Sequence, residues 1–193
     1  VSDNALYTAA EALLNEYTQS QSLLRHARGV EVCMDWYAAH FGVSEQERIL
    51  WRITGLLHDF DYERYPTAEP PEGHPYKGEQ ILTEKGYPEE VRRAIMGHAL
   101  YTGVPRDTLM AKVLFAVDEL SGLITASVYV RPDKSILNLE VSSVMKKMKD
   151  KAFARGCNRD DIRLGAQELG IELQVHVSNT LAAMKAQAEK LGL

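Results

Sequence analysis

The chain is expected to fold as an all-α protein, and three observations carry that expectation. Apolar residues recur at helical offsets, as in His26, Val30, Cys33 and Tyr37 at steps of 4, 7 and 11. Capping residues and breakers punctuate these stretches at helix-like intervals. Val/Ile/Thr alternation with hairpin turns is nearly absent; the β-like run from Thr125 to Val130 continues a helical stripe. No repeat, low-complexity tract or domain boundary interrupts the 193 residues, so one domain over 1–193 with one sizeable core is expected.

Taken in order, the first helix runs to about Tyr17, with Ser2-Asp3-Asn4 as its cap and Leu6, Leu13 and Leu14 as its apolar positions. The second covers Ser22 to Phe41 and closes at Gly42. Ser44 with Glu47 three residues on reads as a capping box for a helix carrying Ile49, Ile53, Leu56 and Leu57 into adjacent His58 and Asp59. A stiff loop follows, holding Pro66, Pro70, Pro71 and Pro75, four of the seven prolines. His74 stands at its exit, before a helix over Pro75–Lys85. Pro88, suited to a first helical position, opens a helix with Val91, Ile95 and His98 on one stripe. A long apolar helix from about Asp107 to Val130 contains Asp118 and Glu119. Helices over Glu140–Phe153, Asn158–Leu169 and Glu172–Leu191 complete the chain.

Composition excludes several function classes. Hydrophobic residues at 45% and charged ones at 25% are ordinary for a globular protein. A net charge of −5, without aromatic interleaving of the basic residues, gives no case for nucleic acid. No apolar run reaches the ~18 residues of a membrane span, and the N-terminus shows no signal pattern. Cys33 and Cys157 lie too far apart in sequence to suggest a metal or disulfide framework, so a reducing cytoplasm is expected.

Chemistry concentrates in the histidines. His26, His58, His74 and His98, four of the six, each sit on or beside an apolar face, and each comes from a different element. Asp118 is embedded in VLFAVDELSGLI, where an unpaired charge is costly to bury. These residues read either as a core of hydrogen-bonded histidines with a capped aspartate or as metal ligands. Imidazole and carboxylate donors without thiolates suit Mn, Fe, Co, Ni or Zn, or Mg where carboxylates dominate. No local His-x-x-x-His spacing is present, so a site requires separate helices to converge.

The order His26, His58-Asp59, Asp118 resembles the HD superfamily of metal-dependent phosphohydrolases, an all-helical fold, over about Leu23–Ile124, with 131–193 as a helical extension. LLHDFDY stands where that family commonly has LLHDIGK, HPYKGEQIL resembles its HPxxGAxIL element, and PEEVRRAIMGHA resembles the helix that follows. Asp118 in AVDELSGLI matches the family's closing aspartate. The resemblance implies that His26, His58, Asp59 and Asp118 bind one divalent metal ion. It also implies that His74 and His98 complete a second site bridged by Asp59, as in HDIG-like members with six ligands. Two departures stand out. The GYP of Gly86-Tyr87-Pro88 precedes His98 instead of following the paired histidines, which argues against a cyclic-dinucleotide phosphodiesterase. Asp61 and Tyr62 replace the usual Gly-Lys.

The resemblance further implies attack of a metal-bound hydroxide on a small phosphoester or nucleotide. Asp59 would be central to it, and Asp61 a proton acceptor or outer-sphere partner. Arg25 and Lys77 are the nearest candidates to hold phosphate, or else are solvated charges. The basic residues from Arg131 to Arg159 either lean over the pocket or form an exposed face. Two other functions use the same six residues: a di-iron oxygenase of the same fold, or a non-catalytic binding module.

Overall fold

In a computed structural model, described over residues 3–193, the chain forms ten α-helices and one short 3-10 turn, with no strand among the described residues. The helices are α1 (Asp3–Tyr17), α2 (Gln21–His40), α3 (Glu45–Leu57), α4 (Tyr76–Glu84), α5 (Glu89–His98), α6 (Leu109–Tyr129), α7 (Val141–Lys149), α8 (Arg159–Glu168), α9 (Leu173–Ala186) and α10 (Ala188–Leu191).

The expected helices are present, with ends that shift for identifiable reasons. Ser2, part of the proposed first cap, lies outside the described residues. Ser44 caps α3: its Oγ accepts the Glu47 N–H at 3.3 Å and donates to the Glu47 carboxylate at 2.6 Å. The glutamate thus reaches the serine hydroxyl and not the serine backbone of a regular capping box. Pro88, the expected first helical residue, has extended backbone and is the N-cap, so α5 starts one residue later than expected, at Glu89. The helix expected over Glu140–Phe153 stops at Lys149, and residues 150–158 form a loop in which Ala154 takes a positive φ of 43°. The last expected helix breaks at Gln187 into α9 and α10. The run Thr125–Val130 belongs to α6 and its end, as its stripe indicated.

Helix α6 is the axis of the bundle. Its mean composition is strongly apolar, and Val113, Leu114, Val117, Leu120, Leu123 and Ile124 are all fully buried. Against it pack α2, α5, α8, α9 and α7, while α2 also lies along α3. One continuous hydrophobic core runs from Ala10 in α1 to Leu191 in α10. Close approach of α8 to α6 depends on Gly165, where a Cβ would lie 2.5 Å from the Ala116 Cα. The N-terminal helices and the C-terminal extension therefore share one interior.

Two buried polar groups stabilise this frame away from any site. Glu31 is buried, and its carboxylate takes hydrogen bonds from Tyr7, Arg28, Arg52 and Lys190. Burial works against its ionisation, but these donors outweigh it and hold its pKa below the usual glutamate value. His176 is a core histidine: Nε2 donates to the Ala116 carbonyl and Nδ1 accepts from the Tyr37 hydroxyl, both at 2.7 Å. Burial lowers its pKa to about 4. His40 stacks on Trp36 at the exposed end of α2, so neither histidine joins the other four.

Candidate metal centre

Five elements bring the remaining histidines and two aspartates to one place. His26 comes from the second turn of α2, and Asp118 from the middle of α6. His58 caps the C-terminus of α3, and Asp59 follows in a tight turn. Adjacent residues on a regular helix would diverge by about 100°. Ending the helix at His58 lets both side chains face the same space. The turn is held by Tyr62 N–H to the Asp59 carbonyl at 3.0 Å and Tyr65 N–H to the Asp61 carbonyl at 2.9 Å. Phe60 anchors it from below, buried against the Tyr17 ring. His74 leaves the proline-rich loop, and His98 ends α5.

The six residues form two triads, each able to offer ligand atoms that lie within 4.8 Å of one another: His26, His58 and Asp118, and Asp59, His74 and His98. Asp59 joins them. Its Oδ1 lies 3.2 Å from Nε2 of both His74 and His98, and its Oδ2 lies 3.3 Å from Nε2 of His58. In the first triad, Asp118 Oδ1 is 3.0 Å from His26 Nε2 and 3.4 Å from His58 Nε2. The two oxygens of one carboxylate thus serve two neighbouring sites.

Outer hydrogen bonds decide which imidazole nitrogen faces inward. His58 Nδ1–H donates to the Gly55 carbonyl at 2.8 Å, and His98 Nδ1–H donates to the Ile95 carbonyl. His74 Nδ1–H donates to Asp61 Oδ1 at 2.7 Å. Three of the four rings therefore turn Nε2, the atom free to act as a ligand, toward the carboxylates. Nitrogen and oxygen lone pairs about 3 Å apart repel one another unless a cation stands between them, either a proton or a metal ion. The donor set suits a divalent ion, and each triad has the size to hold one.

Titration behaviour follows from the same packing. Burial pushes the His58 pKa down, but the charges of Asp59 and Asp118 outweigh it and hold it well above the usual value. Burial likewise opposes protonation of His74, yet hydrogen bonds to Asp59 and Asp61 raise it to about 9. Asp59 and Asp118 are driven up by burial and further down by the imidazoles, so both stay ionised well below the usual range. Glu119, next to Asp118, is raised to about 7 by burial and then by the Asp118 charge.

Asp61 is corrected by the structure. It is almost fully buried, and both oxygens are engaged, one by His74 and the other by the Gly78 backbone N–H at 2.8 Å. Asp61 does not line the metal cavity, and of the two roles expected for it, proton acceptor or outer-sphere partner, these contacts match the second. It also caps the first turn of α4, and only glycine at 78 leaves room for it, since a Cβ there would lie 2.8 Å from its Cγ. Arg25 and Lys77 are corrected too. Arg25 is one position from His26, turned around the helix onto the Tyr129 hydroxyl and ring. Lys77 pairs with Glu72 at 2.8 Å beside the Tyr65 ring. Neither lines the metal cavity.

That cavity, about 650 Å³, opens over the triads. Sequence reasoning missed most of its walls. Tyr62, Leu100 and Tyr101 are exposed along it, and Tyr101 donates to the His74 carbonyl at 2.7 Å. Tyr62, standing where the resemblance expects a lysine, packs edge-on against the His74 ring. Glu119, Cys157, Asn158 and Asp161 close the other walls. Glu119 carried one sequence signal, its place beside Asp118; residues 156–161 carried none, because only folding returns the extension to the site.

The fold and site define a helical bundle with paired His/Asp triads at the ends of four helical segments and one helix centre. The family model for the HD domain matches residues 23–123, more than half of the chain, and the chain belongs to the HD-domain family of metal-dependent phosphohydrolases. No curated protein and no solved structure matches it significantly. The matched span includes all six triad residues.

Proposed function

We propose that the protein is a binuclear metal-dependent phosphohydrolase acting on a small phosphoester or nucleotide. The observation that carries this reading is the splitting of Asp59, one oxygen to each triad, with the imidazole Nε2 atoms aimed inward. His26, His58 and Asp118 would hold one ion, His74 and His98 the other, and Asp59 both. Divalent ions there would lower the pKa of a coordinated water and neutralise charge on a phosphoryl oxygen.

The chain's own residues do the rest. The Gly55 and Ile95 carbonyls and the Asp61 carboxylate keep three imidazoles oriented, so that no ligand rotates out of place during turnover. Tyr62, Leu100 and Tyr101 offer an apolar wall to the carbon skeleton of a substrate. Glu119, in the cavity wall, can hold a proton at its carboxyl near neutral pH. Cys33 and Cys157 are free thiols, consistent with a reducing cytoplasm. Among the described residues no helix is long and apolar enough to cross a membrane.

The test is metal analysis of the purified protein, followed by phosphate release across nucleotides and sugar phosphates with Mn, Fe, Co, Ni, Zn or Mg supplied. Asp59→Ala is expected to lose both ions and all turnover while circular dichroism keeps the helical signal. Unchanged metal content in that variant refutes the site. Bound iron with O₂ uptake and no phosphate release would point instead to the oxygenase that shares this donor set.

A further inference from the structure

A second cavity lies directly beside the metal site, and one loop walls both. Gly156, Cys157 and Asn158 face the metal cavity. On the other side Lys149, Lys151, Arg155, Arg159 and Arg163 line a neighbouring cavity of about 460 Å³, which meets the first at Cys157. The two spaces have opposite charge. The metal cavity is lined by Asp59, Asp118, Glu119 and Asp161, with no lysine or arginine among its described lining residues. Its neighbour has a single acid, Asp160.

The five basic residues divide by role. Arg159 is structural: its guanidinium donates to the carbonyls of Lys147, Asp150, Phe153, Ala154 and Cys157, clamping loop 150–158. Arg163 pairs with Asp160 at 3.0 Å. Lys149, Lys151 and Arg155 are exposed, and none is in an ion pair among the described residues. The loop that presents Lys151 and Arg155 is also tied to the metal site, since the Asn158 N–H donates to Glu119 at 3.0 Å. Ala154 is held in the left-handed region, a conformation that a non-glycine residue keeps only when its surroundings impose it. The backbone that carries Lys151 and Arg155 is therefore fixed, and their exposed side chains are free to reach a ligand.

We propose that this basic cavity binds a second phosphoryl group of the substrate, so that one phosphate lies at the His/Asp triads while another on the same molecule is gripped by Lys149, Lys151 and Arg155. The inference rests on the phosphohydrolase reading and narrows its substrate to small bisphosphorylated molecules. A second dianion inside the carboxylate-lined cavity would be repelled, whereas the adjoining cavity, which meets it at Cys157, offers unpaired cations.

The test is calorimetric binding of non-hydrolysable alkanebisphosphonates of increasing chain length to the metal-loaded protein, against an alkyl monophosphonate and inorganic phosphate. One spacer length is expected to bind about tenfold or more tightly than the monophosphonate, the gain typical of added charge-assisted hydrogen bonds. In the double variant Lys151→Gln with Arg155→Gln that ratio falls to near one. A control of equal charge, Lys85→Gln with Lys185→Gln, retains it. Equal affinity across the series, a preference that survives the double variant, or inorganic phosphate binding as well as the best bisphosphonate overturns the inference. Phosphate release from monoesters without any bisphosphonate preference sinks this inference alone. The preference without hydrolysis of any ester sinks the hydrolase reading and leaves the basic cavity as a ligand site.

Discussion

Removing Asp61 should weaken one metal site and spare the other, although Asp61 is not expected to touch a metal. Its Oδ1 fixes the His74 ring and its Oδ2 takes the Gly78 N–H, while His26, His58 and Asp118 make no contact with it. In Asp61→Ala the imidazole loses its orienting acceptor, and a buried backbone donor is left unpaired at a cost of about 1–3 kcal/mol in stability. Loss of an outer hydrogen bond of this kind typically weakens metal binding about 10- to 100-fold, or about 1.4–2.7 kcal/mol. Gly78→Ala should act in the same way by steric means, because its Cβ would overlap the Asp61 carboxylate. The assay is calorimetric titration with Mn or Zn: two sites of similar affinity in the parent are expected to become one strong and one weak. Equal weakening of both sites, or of neither, would show that the Asp61–His74 bond does not govern the second triad.

Three further outcomes follow from the packing and titration of the fold. Metal binding near neutral pH should release protons, because His74 with a pKa of about 9 is protonated in the ion-free protein and must lose that proton to become a ligand. A binding enthalpy that does not vary with buffer ionisation heat would contradict this. His176, lowered to about 4, is neutral in the fold but takes a proton in the unfolded chain below the usual value of 6.5. Its contribution is complete above pH 6.5 and is lost as pH falls toward 4, by about 3 kcal/mol in all. Urea unfolding of the parent against His176→Gln over that range should show the steeper decline in the parent. Gly165→Ala drives a methyl into the Ala116 backbone and should cost about 1–3 kcal/mol, read as a lower thermal midpoint. An unchanged midpoint would mean that α8 rests more loosely on α6 than described.

Much of this protein was open to a reader of the chain alone. Helical spacing of apolar residues, Gly and Pro breaks and the Ser44 cap indicated the elements, because these signals act within a few residues of one another. The six triad residues were also legible, since buried imidazoles and an aspartate amid apolar neighbours demand a partner wherever they fall. The end of α7 at Lys149 was not legible. The sequence 150–155 holds no proline or glycine, and the loop is imposed by the carbonyls that Arg159 collects.

What the order of residues determined by itself was an all-helical chain with imidazoles and carboxylates that could not be buried singly. Only tertiary structure decided which oxygen of Asp59 serves which triad, that Asp61 orients a ring, and that Arg25 and Lys77 turn away. It also decided that a remote loop divides an acidic cavity from a basic one. The physical reason is range. Periodicity and capping are local, whereas the direction of a side chain depends on what distant helices bring against it.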